Sequence, residues 1–144
     1  IGKQLMLDTL LRGSAYTTVG PFLGLINSGG TFAAADTMTS HSGWTEFTNY
    51  TVSTAVRGTA VFAASTSSGT TPTNVTTCAA ASITYTITGA GGTVGGCFLV
   101  TGTGAVSTQS STAGTLYSAG NFSVAKAVTA GDTVAVTYST TATS

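Results

Sequence analysis

The sequence predicts an all-β chain: a jelly-roll-like β-sandwich of about seven or eight strands with a short N-terminal helix or arm. Three observations lead there. Ile83, Tyr85 and Ile87 alternate with Thr84, Thr86 and Thr88, and Val134, Val136 and Tyr138 alternate with Thr133, Ala135 and Thr137. A two-residue period turns one set of side chains to a core and the other to water. Clusters of Gly, Ser and Asn separate such runs, as turns between strands require. Thr and Val are abundant, and β-branched side chains suit a pleated, half-buried surface. With 144 residues, 42% of them hydrophobic, the chain can build one core. We divide it into an arm over 1–15 and a single sandwich domain over 16–144.

The arm is the one convincing helix. Leu7, Leu10 and Leu11 fall at helical spacing, Met6 pairs with Leu10, and Gly13 is a stop signal. Asp8 and Arg12 stand four apart, acidic residue first, which supports a helix through an ion pair. A helix this short does not persist alone in water, so its leucines must cover its own sheet or a neighbour. Downstream, Gly20–Ile26 is an apolar strand that ends in the turn Asn27-Ser-Gly-Gly30. Thr59–Ala63 and Asn74–Cys78 are weaker strand candidates, and Cys97–Thr101 and Gly114–Phe122 are stronger ones. Glycines at 89–92 and 95–96 point to a tight hairpin and bulges. Two stretches lack the two-residue period. In Phe32–Phe47, Asp36 could cap a helical turn over Thr37–His41 that Gly43 ends. Ala64–Thr73 is a polar surface loop.

Charge decides which functions are excluded. Charged residues are 6% of the chain, and four basic residues cancel four acidic ones. No basic stripe is present to neutralise phosphates, so no nucleic-acid partner is expected. No run approaches the roughly 20 apolar residues of a spanning helix, so no membrane partner is expected either. The start carries charges through its apolar stretch and does not read as a signal peptide. Ile1 in place of an initiator Met leaves room for residues ahead of it. A neutral surface of hydroxyls, methyls and amides favours association, which points to a structural role. Cys78 and Cys97 could form a disulfide or remain free thiols, and the absence of a secretion signal favours the thiols. Asn49-Tyr-Thr, Asn74-Val-Thr and Asn121-Phe-Ser match a glycosylation pattern that arises easily in so Thr- and Ser-rich a chain.

Catalytic constellations are thin. Asp36, His41 and the adjacent serines suggest a triad, but no Gly-x-Ser-x-Gly elbow occurs and proximity in sequence supplies no geometry. The alternative is that His41 and Glu46 satisfy backbone groups of a loop around Trp44. A single His, two distant cysteines and scattered carboxylates give no metal-ligand spacing. The glycine clusters lack the Lys and the following helix of a phosphate loop. We expect no enzyme, no cofactor and no metal.

Leu23-Gly-Leu-Ile26, Ala33-Ala-Ala-Asp-Thr-Met-Thr-Ser-His-Ser-Gly-Trp-Thr-Glu-Phe-Thr-Asn-Tyr50, Gly114–Phe122 and Val128–Tyr138 together resemble the jelly-roll capsid cement, or decoration, proteins of short-tailed bacteriophages. The resemblance runs in segments from about Gly20 to Tyr138, and its specific part is Asp-Thr-Met…His…Gly-Trp-Thr-Glu. One departure stands out: the family usually follows the Tyr with Arg-Pro and an aromatic, whereas this chain has Arg57-Gly58. The resemblance implies a virion protein on the outer surface of the capsid. There it would bridge capsomers of the major capsid protein and stabilise the shell by mass action. It also implies self-association, for which we favour a dimer because two-fold closure is commonest, with a trimer as the alternative. Candidate capsid contacts are the arm, through Lys3, Leu7, Leu10, Leu11 and Arg12, and the loop bearing Asp36, His41, Trp44 and Glu46. Arg12, Arg57, Asp36 and Glu46 are the candidate interfacial ion-pair partners. The other readings are a phage tail or fibre component, and a carbohydrate-binding sandwich with Trp44, Tyr50 and Tyr117 as its stacking platform.

Overall fold

The computed structural model describes residues 2–64, 66–68 and 75–143, with the side chains at 2–4, 6, 66–68, 75–78 and 142–143 left undescribed. Lys3, Met6 and Cys78 therefore lie outside the described side chains. Asn74 and the 69–73 part of the polar loop lie outside the described residues.

The chain is an all-β sandwich with one short helix. Helix α1 (Gly2–Leu10) is followed by β1 (Phe22–Asn27), β2 (Glu46–Phe47), β3 (Tyr50–Thr51), β4 (Gly58–Thr59) and β5 (Thr66–Ser68). Then come β6 (Val75–Ala79), β7 (Ile83–Ile87), β8 (Gly92–Thr101), β9 (Thr115–Val128), β10 (Thr133–Val136) and β11 (Ser139–Thr143). Among the described residues eleven strands exceed the seven or eight expected, because β2, β3 and β4 are two residues long and too short to show a period. β5 likewise falls inside the stretch expected to be loop. No helical turn forms over 37–41: Thr37 and Ser40 bond to each other as a turn, and the Asp36 carboxylate is engaged elsewhere.

All pairings are antiparallel. One sheet runs β2-β1-β8-β9, with β4 also on β1; a second runs β10-β7-β3, and a third β11-β6-β5. The central strands of the first sheet, β1 and β8, are buried on both faces. Leu23, Leu25, Val94 and Leu99 meet Tyr50, Ile83, Tyr85, Ile87 and Val136 of the second sheet in the main core. Tyr85 lies wholly buried there, and its hydroxyl donates to the Leu23 carbonyl at 2.8 Å, tying the layers together. Burial pushes its phenol pKa far up. On the opposite face, Ile26, Phe98, Val100 and Leu116 form a second core with Met38 and Trp44, so the long connection between β1 and β2 covers that side. Cys97 carries a free thiol packed against the main core, and desolvation raises its pKa to about 11. At neutral pH it is therefore an apolar filler rather than a nucleophile.

Close packing of backbone explains two glycines in the first sheet. A Cβ on Gly24 would enter the Phe98 ring, so that ring can lie against β1 only because position 24 is bare. At Gly95, where β8 bulges between Val94 and Gly96, a Cβ would collide with the backbone at Ser28 and Gly29. Backbone cannot rotate away as a side chain can. We expect Gly95→Ala to lose stability at or beyond the upper end of the ~1–3 kcal/mol typical of overpacking. Chemical denaturation checks this, and a midpoint equal to that of the natural chain would contradict it.

Candidate functional site

Of the ten residues singled out from sequence, Lys3 lies outside the described side chains; the others separate into an exposed group on the arm and a buried or half-buried group in and under the 28–45 connection. On the arm, Leu7, Leu10 and Leu11 are 57%, 74% and 78% exposed. Arg12 reaches back to Asp8 at 3.1 Å, an i,i+4 pair on the surface. Exposed pairs of this kind add at most about 1 kcal/mol, so Arg12 remains available to another carboxylate. Among the described side chains of the helix, Leu5 is the one that lines a groove on the sandwich. That side chain sits at an apolar groove of about 390 Å³ with Tyr16, Pro21, Phe62, Leu99 and Tyr117. An ordinary surface helix turns its apolar stripe inward. This one places a single described leucine against its own domain and leaves three facing water.

In the second group Trp44, Glu46 and Arg57 have buried side chains, which corrects the expectation that these three face a partner, whereas Asp36 and His41 are partly exposed. Arg57 is 1% exposed and meets Glu46 in a two-pronged pair, Nε to Oε1 at 2.9 Å and Nη2 to Oε2 at 2.7 Å. The guanidinium also donates to the Ser111 carbonyl at 2.8 Å, and Glu46 Oε2 accepts from the Ser110 amide at 2.8 Å. The Phe98 ring lies beneath the guanidinium, 5.0 Å from its centroid to Cζ. Arg57 and Glu46 therefore pair with each other, and together they strap the 106–111 loop to β2. Gln109 adds a second tie, from its amide to the Tyr50 carbonyl at 3.0 Å. The Tyr50 phenol beside them is pushed far up in pKa, first by burial and then by the Glu46 charge.

Trp44 is also core. Its indole N–H donates to Asp36 Oδ2 at 3.2 Å, its ring lies 5.1 Å from that of Phe98, and His41 stacks on it at 3.9 Å. His41 Nδ1 faces the Trp44 carbonyl at 3.1 Å, so that nitrogen carries the proton and donates. Asp36 Oδ2 further accepts the Ala33 amide at 3.1 Å. These groups satisfy one another and the loop backbone, which is the alternative to a triad that the sequence left open. Among the described interactions the partner of His41 is the Trp44 carbonyl and not a hydroxyl. The stacking platform is overturned outright: Trp44 belongs to the second core and Tyr50 to the first, on opposite faces of one sheet.

Of the Asn residues that match the glycosylation pattern, the two that are described bond to backbone. Asn49 donates to the Gly91 carbonyl at 2.8 Å, and Asn121 exchanges two hydrogen bonds with Gly30. Among the described residues no group of three or more His, Cys, Asp or Glu could hold a metal ion, and no helix is long and apolar enough to cross a membrane. Sequence reasoning missed two features: the Leu5 groove and the strapped 106–111 loop. The groove joins residues far apart in the chain, and the strap is made by backbone carbonyls and amides that no side-chain pattern announces. The chain matches no protein-family model, and no curated protein or solved structure is significantly similar to it.

Proposed function

We propose that this chain is a capsid decoration protein of a tailed bacteriophage. It docks on the outside of an icosahedral shell, contacts the major capsid protein through α1, and bridges capsomers. The observation that carries this reading is the outward leucine face of the arm, Leu7, Leu10 and Leu11, on a helix too short to be stable by itself. A helix with that face needs a second surface to cover it. The sparse charge of the chain suits a contact repeated many times over a shell, where avidity replaces the strength of any single site. The segments that resemble cement proteins supply the choice of shell over other partners.

Leu10→Asp combined with Leu11→Asp tests it. Full burial of one Leu contributes about 1.5–3 kcal/mol, so losing two should weaken shell binding on the order of a hundredfold or more. Both side chains are exposed, so the fold should remain as it was. Copies retained per particle, measured on shells stripped of the protein and then re-decorated, give the readout. Occupancy equal to that of the natural chain would sink the arm contact.

A further inference from the structure

Strand β9 leaves its own sheet part-way along. Val94 of β8 pairs with Lys126 and Gly96 pairs with Asn121, so the four residues Phe122–Ala125 stand opposite Gly95 alone and have no partners in β8. β9 is the outermost strand of its sheet, so no strand pairs with these residues on the other side either. Ser123 to Ala127 are exposed on both faces, with Val124 at 62%. A strand whose backbone is unpaired and whose apolar side chain faces water is a template for another strand.

The ribbon also forms one wall of an open cleft of about 860 Å³. The far wall is β10, itself outermost in the second sheet and not paired with β9. Val128 and Val136 at the base of the cleft belong to the main core, and Phe122 and Val134 pack against it. The core thus continues outward to Val124 without being closed. Native sheets blunt such openings with a charge, a proline, a bulge or a covering loop; this segment has a bulge and one charge, Lys126, and neither covers Val124.

We infer that this ribbon pairs with the same ribbon of a second copy, antiparallel about a two-fold axis through Val124, closing the cleft of each protomer. The pattern of the segment favours self-pairing over a foreign strand. With Val124 opposite Val124 of the second copy, the antiparallel register sets Phe122 opposite Lys126. Each ammonium then meets an aromatic ring and not the other ammonium. Ser123 and Ala125 are small and fall opposite one another, which allows close approach. The chain has no net charge, so copies do not repel at a distance. An isologous contact of this kind closes on itself and does not propagate into a fibre. The pairing needs no shell, so it stands or falls separately from the function proposed above.

Sedimentation of the full chain, with and without Val124→Asp, tests the pairing. The natural chain should be a dimer at micromolar concentration. Val124→Asp sets two carboxylates face to face and should weaken association by at least about tenfold, with circular dichroism unchanged. Val124→Cys, oxidised, should give a dimer cross-linked between the two 124 positions, because residues directly opposite on antiparallel strands come within disulfide reach. It also decides the matter if the Asp variant fails to fold. A monomeric or trimeric natural chain, a dimer that Val124→Asp leaves intact, or a dimer that does not cross-link at 124 would each overturn the pairing. So would a monomer whose cleft binds an extended peptide instead.

Discussion

Replacing Arg57 with Met is expected to remove about 3–5 kcal/mol of folding stability, because it leaves the Glu46 carboxylate buried without its counter-charge. The geometry puts the effect at that end of the scale. Both side chains are nearly inaccessible, at 1% and 8%, so water cannot take over the role of the guanidinium. The same substitution deletes the donor to the Ser111 carbonyl and the cation lying over Phe98. Removing both partners, Arg57→Met with Glu46→Leu, should recover part of the loss, since two apolar groups carry no desolvation cost. Recovery will be incomplete because the Ser110 amide then loses its acceptor as well. Urea denaturation of the natural chain and the two variants measures this directly. A single-variant loss below about 1 kcal/mol would mean the pair is solvated, as surface pairs are.

Trp44→Ala should cost a similar amount, about 3–5 kcal/mol, by opening a cavity between the outer face of the first sheet and the connection that covers it. The indole touches Phe98 and His41 and holds Asp36 through its N–H, so truncation loosens three neighbours at once. Trp44→Phe keeps most of the ring contacts and loses the donor, so about 1 kcal/mol is expected. Arg57 and Trp44 both rest on Phe98 and should not behave additively when replaced together. Trp44 variants that remain folded should bind shells as the natural chain does, because the side chain is not available to a partner. Weakened shell binding without loss of stability would instead make Trp44 an interfacial anchor.

The sequence was most readable where side chains repeat with the period of their element. Ile83, Tyr85 and Ile87 are buried and Thr84 and Thr86 exposed, as their alternation requires. Leu7 and Leu10 lie on a helix of the expected extent. β1 was legible as a continuous apolar run ending in a turn, because burial on both faces replaces alternation. Glu46 and Arg57 were misassigned for a physical reason. In a chain with eight formal side-chain charges outside His, each one looks like a specific surface contact, and nothing in their spacing shows that the fold brings them together inside. Trp44 drew attention as the only Trp, and its neighbours Asp36 and His41 seemed a site, whereas they are the means by which a loop without regular structure satisfies its own polar groups. The unpaired ribbon of β9 was not legible either: the expected strand Gly114–Phe122 stops where the ribbon starts, and only the register against β8 reveals the missing partners.

The most direct test of the decoration role is cryo-electron microscopy of the phage particle that carries this chain. The proposed role predicts sandwich-shaped density on the outer face of the shell between capsomers, with the leucine face of α1 against the major capsid protein. Density confined to the tail, or none on the particle, would contradict it.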